Sequence, residues 1–295
     1  MFRYLRVKRQ PEKAEPEPGA FSIDQLTRDP ALPAALRHLN ALPDNAKMRC
    51  YRALLPPDLL IQFGIDPLSW KGASGDPHAR LVADSQSGTV HISAKKDIES
   101  TDAFITIELS DNSFNGIDLS LLLLSDPNSP RFQTDYDEEA RPTLFGTARR
   151  HLAEEERAMH AGLAPAQVRS GLGASKQVLQ HLEIFLTALG HRSYFLEPLT
   201  YASAWIFERR GFAYVRGHKL MDDIHKEFQP GGRLHASLDA STPFRQIDQW
   251  RTVRGRAWAI HDGILSAIDA QWTSVRMVKQ VGRHAQVETF PNAAF

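Results

Sequence analysis

The sequence predicts an α/β (α+β) protein in which a mixed sheet is flanked by helices, with an N-terminal helical arm before it and a helical C-terminal extension after it. Three observations carry this. Over 89–136, short strand-like runs are parted by turn-rich SDNSFNG and SDPNSP, as in a strand meander. On both sides of that stretch, apolar residues recur at helical spacing. At 194–217 the strand pattern returns on either side of a short helical segment, so helices and strands share one architecture.

Taken in order, residues 1–20 mix Pro, Glu, Lys and Arg without apolar periodicity and are expected to form a flexible tail. The arm, 21–79, turns helical from Ala31 in short pieces, because Pro43, Pro56, Pro57 and Pro67 interrupt the backbone bonding of a longer helix. The core, 80–217, contains the expected strands TVHISA, DAFITIEL, GIDLSLLLL and RFQTDY; the third is apolar on both faces and so belongs near the centre of the sheet. After Gly146 the run ARRHLAEEERAMHA predicts a helix capped by Thr147 and stopped by Gly162. A second helical pattern spans 168–189 and ends at Gly190. Then YFLEPLTYASAWIFERRGFAYVRG presents a strand, a turn at Pro198, a helix stopped by Gly211 and another strand. In the extension, 218–295, Ser241-Thr242-Pro243 is a helix start, and Trp258, Leu265, Ile268, Trp272 and Val275 fall on one helical stripe.

The totals restrict function. At 295 residues the chain is long enough for about two domains. Lys plus Arg and Asp plus Glu both number 35, so no chain-wide field recruits nucleic acid or anionic lipid, and a compact small-molecule ligand is the favoured partner. The longest aliphatic run, 121–124, is far short of the roughly 20 apolar residues a membrane span needs. The opening residues lack the apolar run of a secretory signal and Cys50 is the only cysteine, which together predict a soluble cytoplasmic protein. Lys47, Arg49 and Arg52 surround Cys50, a setting that favours a thiolate, but no base accompanies it and a small buried hydrophobe is the expected role.

The segment TYASAWIFERRGF resembles the last helix of the GCN5-related N-acetyltransferases, in Phe207, Glu208, Gly211 and Phe212, with Thr200 where the family favours Asn. Upstream, Val168, Arg169, Ser170, Gly171, Leu172, Gly173 and Ala174 are similar to that family's pyrophosphate loop; Gly171 and Gly173 fit, and Val168 stands in the Gln/Arg position. Glycines let a backbone approach phosphate oxygens, and a helix start supplies free N–H groups. The resemblance, over about 80–217, implies an acyl-CoA N-acyltransferase-like sheet and an acetyl-CoA or other acyl-CoA cofactor. It implies transfer to a small amine, or retained binding without turnover. Phe207 and Thr200 would border the cofactor; Phe207 lacks the hydroxyl of the family's usual Tyr, which Tyr201 would have to replace, and Glu197 is the candidate base. Against this, Val168, Leu172, Ser175, Leu179, Leu182, Leu186 and Leu189 alternate spacings of four and three, so one helix could run through the glycines and use them only for packing.

Three other constellations stand apart from that resemblance. His225, His235 and Asp239, within GHKLMDDIHKEFQPGGRLHASLD, have the chemistry of a two-His-one-carboxylate metal site, an alternative reading in which a metal-dependent enzyme uses the C-terminal residues. Structural roles for these side chains are the simpler expectation, and a noncatalytic interaction protein is a third reading. Arg251, Arg254 and Arg256 between Trp250 and Trp258 suit a compact anion, or else a buried seam with the arginines paired to carboxylates. Glu156 and His160 lie one helical turn apart and can act as a pair or simply decorate a polar face.

Overall fold

The computed structural model describes residues 32–273 and 275–295. The tail expected at 1–20 and the first residues of the arm lie outside them. From Leu32 the arm is built of short helices: α1 (Leu36–Asn40), α2 (Asp44–Tyr51) and α3 (Pro57–Gln62). Pro43 immediately precedes α2 and Pro57 opens α3, where a missing N–H costs nothing. The arm is tied to the sheet by polar contacts. Asp111 accepts from the N–H groups of Leu36 at 2.7 Å and Arg37 at 3.1 Å, while the buried Asn40 side chain donates to Ser87 O and Thr89 O.

Four strands follow, β1 (Ala79–Val82), β2 (Thr89–Ala94), β3 (Ile105–Asp111) and β4 (Ile117–Leu124), paired antiparallel in sequence. The expected strand RFQTDY does not form. Phe132 N bonds to Val168 O and Thr134 Oγ1 to Gln167 O, so this segment is held by a returning loop instead of a sheet edge. Next come α4 (Leu152–His160), α5 (Ser175–Ala188), β5 (Ser193–Leu196), α6 (Tyr201–Arg209), β6 (Ala213–Arg216), α7 (His218–Glu227), α8 (Arg233–Ala236), α9 (Val253–His261) and β7 (Arg276–Gln280). The cap of α4 is His151, whose Nδ1 accepts from Glu154 N, not Thr147.

The seven-stranded sheet has the order β1-β2-β3-β4-β5-β7-β6 and is mixed, since β4 and β5 run parallel and the other pairs antiparallel. β7 corrects two expectations. The extension is helical only as far as 268, and its last strand inserts between β5 and β6, so the sheet is completed by residues beyond 217. The stripe from Trp258 to Val275 is likewise not one helix: α9 ends at His261, Gly263 takes φ 83°, and a 3-10 turn follows. One buried apolar cluster joins the arm (Leu36, Tyr51), the sheet (Ile92, Ile107), α5 (Leu182) and the extension (Phe228, Ile264). Among the described residues no helix is long and apolar enough to cross a membrane.

Candidate functional site

The centre of the sheet contains an opening. β4 and β5 are parallel neighbours, yet they pair only at Ile117 with Tyr194 and Asp118 with Phe195. Just beyond, the register of β4 against β3 shifts so that Ser120 is an extra residue in β4. Such a bulge bends and twists its strand, and β5 itself ends at Leu196, one residue past the last pair, so β4 continues without a strand partner on this edge. The start of the opening is pinned by Arg276 of β7. Its Nη2 donates to both oxygens of Asp118 at 2.9 Å and its Nη1 to Glu197 Oε1 at 3.0 Å. The β5-facing edge of β4 therefore leaves its strand partner while its β3-facing edge remains paired through Leu124.

The glycine loop sits at the far end of β4. The chain leaves at Ser125, makes a long excursion that includes α4, and returns so that Gly171 bridges Ser125, with Leu172 N bonded to Leu124 O and Asp126 N to Ser170 O. The continuous helix over 168–189 is thereby overturned. Val168 and Ser170 spend their carbonyls on Phe132 and Asp126, Gly173 takes φ 75°, and α5 begins at Ser175. Gly173 is exposed, and a Cβ there would meet nothing within 4 Å, so open space lies before the loop. Among the described residues the N–H groups of 173–177 find no acceptor, as expected for the start of a helix without a side-chain cap. Arg210 donates from Nε to Ser175 Oγ at 3.0 Å and has no carboxylate partner among the described residues. Arg169 is differently employed: with Arg131 it grips Asp102, and it also donates to Ser129 O. Burial pushes the Asp102 carboxyl up, but the two arginines outweigh this and hold it below its ordinary range.

Around α6 the roles separate. Thr200 is its N-cap, forming a reciprocal capping box with Ser203, so its hydroxyl is engaged by the backbone. Phe207 is half-buried, edge-on to Phe212 at 5.1 Å. Glu208 is buried, accepting from Tyr214 Oη, Thr289 Oγ1 and Thr289 N. Tyr201 is 1% exposed. Its hydroxyl lies beside the Arg256 guanidinium, but neither Tyr201 Oη nor Arg256 Nη2 completes a hydrogen bond of ordinary geometry. Burial pushes the Tyr201 pKa up to about 12, despite Arg256. Glu197 is exposed at the end of β5, in contact with Arg276 and Arg216.

The C-terminal residues disperse. Arg251 is exposed over the Trp250 ring; Arg256 is fully buried, donating to Trp250 O at 2.7 Å with Phe290 against its guanidinium; Arg254 stacks on Phe295 at 4.5 Å. Among the described residues none of the three has a carboxylate partner, which corrects the expectation of a seam of paired arginines. Of the two tryptophans, Trp258 is buried and donates to Leu163 O at 2.8 Å, while Trp250 is only half-buried. His225 faces Arg256, with Nδ1 3.3 Å from Nη1; His235 lies edge-on to Trp250; Asp239 accepts from Ser241 N in a turn. Among the described residues these three form no group able to hold a metal ion. Cys50 is buried in the core, and burial raises its thiol pKa against the pull of Arg49.

No family model, curated protein or solved structure matches this chain.

Sequence reasoning missed the part of Arg210, and of Arg276, which lay in a region expected to be helical. A basic residue just before Gly211 was a visible signal for Arg210. Nothing local marked Arg276, because its partners Asp118 and Glu197 are distant in sequence.

Proposed function

We propose that the opening between β4 and β5 is an acyl-CoA site, used for acyl transfer to a small amine or retained for binding of that ligand without turnover. The observation that carries this reading is the early end of the β4–β5 pairing, with the 168–174 loop and the bare start of α5 at the other end of β4. An acyl-CoA combines a pyrophosphate with an extended amide-bearing arm, and the two parts match these two features. A strand edge without a strand partner can pair with amides of an extended chain. Free N–H groups at the start of the 14-residue α5, with the positive charge of Arg210 beside them, suit a pyrophosphate. The resemblance of the 168–174 loop and of Phe207, Glu208, Gly211 and Phe212 to the GCN5-related N-acetyltransferases, and a strand order that leaves β4 beside a parallel β5, support the same reading.

When bound, the thioester would supply an activated acyl group. Glu197, exposed at the end of β5 and anchored by Arg276, is the proposed acceptor of the amine proton. The proton needed by the departing sulfur lacks a source at Phe207, and the Tyr201 hydroxyl is buried beside Arg256. Binding without turnover is therefore the form the side chains favour.

The test is calorimetric titration of the full chain with CoA and acetyl-CoA. Binding by both, weakened about tenfold by Arg210→Gln, is expected, the loss corresponding to one charge-assisted hydrogen bond. No binding of either ligand by the parent protein rejects the reading. Acetyl transfer to a small amine at an enzymatic rate would restore catalysis and require another acid.

A further inference from the structure

The excursion between β4 and α5 docks on the C-terminal extension, and the two border an open cleft of about 750 Å³. Its walls come from α4 and the turn after it (Glu156, His160, Leu163), and from the chain around α9 (Asp248, Arg254, Trp258), with Phe295 at one side. The volume is that of a small-molecule site, not of a packing defect.

The charges on these walls are incompletely matched. Glu156 has His160 within 3.7 Å. Arg254 and Asp248 carry opposite charges, line the same cleft and have no ionic partner among the described residues, including each other. The guanidinium is nevertheless positioned: its Cζ lies over the Phe295 ring, 4.5 Å from the centre, and it passes close to Gly162, where a Cβ would lie 3.4 Å from Nη1. Two lining side chains also retain unmet hydrogen-bonding atoms, Arg254 Nε and Gln249 Oε1. A fixed guanidinium is a planar fork suited to a carboxylate, and an unpaired carboxylate suits an ammonium. A dianion would match Arg254 and oppose Asp248, so a ligand bearing one charge of each sign is the complementary class.

From this geometry we infer that the cleft binds a small zwitterion of the amino-acid class, with its carboxylate on Arg254, its ammonium on Asp248 and an apolar side chain against Leu163, Trp258 and Phe295. The inference does not rest on the acyl-CoA reading. Because the ligand has both charges, removing either from the ligand or from the wall has a defined effect.

The experiment titrates the full chain with L-phenylalanine, 3-phenylpropionate, which lacks the ammonium, and phenethylamine, which lacks the carboxylate. L-phenylalanine is expected to bind at least about tenfold more tightly than either analogue, the worth of one charged hydrogen-bonding pair. Arg254→Gln should erase its advantage over phenethylamine, and Asp248→Asn its advantage over 3-phenylpropionate. Arg251→Gln, exposed and outside the lining, should change neither. Asp248 is also exposed, so its variant tests the idea even if Arg254→Gln folds poorly. Failure of the parent to bind L-phenylalanine overturns the inference, as does equal binding of 3-phenylpropionate or equal losses in Arg254→Gln and Arg251→Gln.

Discussion

Gly211 answers a question of single-residue chemistry: what stops α6 so sharply between two strands? Its φ of 86° is left-handed, and the N–H groups of Gly211 and Phe212 turn back to Glu208 O and Phe207 O, closing the last helical carbonyls. A Cβ at this position would lie 2.8 to 2.9 Å from His284, including its backbone Cα. Gly211→Ala should therefore cost about 2 to 3 kcal/mol, conformational strain plus a collision that a side-chain rotation alone cannot relieve. A shift of the urea midpoint with unchanged m-value would show it; a variant as stable as the parent would mean that the His284 segment moves freely. Gly173 is the contrast. It too has positive φ, but it faces open space, so its requirement for glycine is conformational and leaves the approach to the α5 start clear.

At the scale of elements, α5 and α6 begin in opposite ways. α6 has a complete capping box from Thr200 and Ser203, whereas α5 has no side-chain cap. Thr200→Ala should cost about 1 kcal/mol, the usual worth of an N-cap hydroxyl, and should leave CoA affinity unchanged because that hydroxyl is engaged within the helix. Thermal melting paired with the CoA titration checks both halves, and a large loss of affinity without loss of stability would put Thr200 in contact with ligand instead. The start of α5, by comparison, offers its donors outward. The bulge at Ser120 and the Arg276 clamp act at the same place in β4, one bending the strand and the other holding its base against Glu197.

Across the molecule, a charged network joins the excursion to the extension. Arg150 bonds Glu155 and Asp262, Arg245 bonds Asp262, and His261 faces Glu155 at 3.4 Å. Burial pushes Glu155 up, but His261 and Arg150 hold its carboxyl below its ordinary range; burial alone lowers His191 against its bond to Ala34 O, and burial with Arg256 lowers His225. On acidification the unfolded histidines take up protons first, because their folded pKa is the lower one, so stability declines as pH falls below about 6.5. The carboxylates Asp102 and Glu155 also have depressed folded pKa values, and their contribution is lost as pH falls below about 4 through those values. Urea midpoints between about pH 8 and about pH 2 should thus fall in two steps. His191→Gln should flatten the upper step; Glu155→Gln should lower stability near neutrality by about 2 kcal/mol and shrink the lower one. A midpoint constant across the histidine range would contradict these assignments.

The sequence by itself determined the elements whose signals are local. β2, β4, β5 and β6 lie where short strand-like runs lie, and α6 stops at its glycine, because apolar patterning between turn signals and glycine's access to positive φ act over a few residues. It also held the motif around Gly171 and Gly173, but two physical outcomes were compatible with the same letters. Only the tertiary structure chose between them, through the bridge of Gly171 to Ser125 across the whole excursion. The same holds for β7, a five-residue strand whose place between β5 and β6 depends on partners 60 or more residues away, and for the cleft that brings Arg254 to α4. In each case the deciding contact is a hydrogen bond or a packed surface between distant segments, and nothing in the neighbouring sequence encodes it alone.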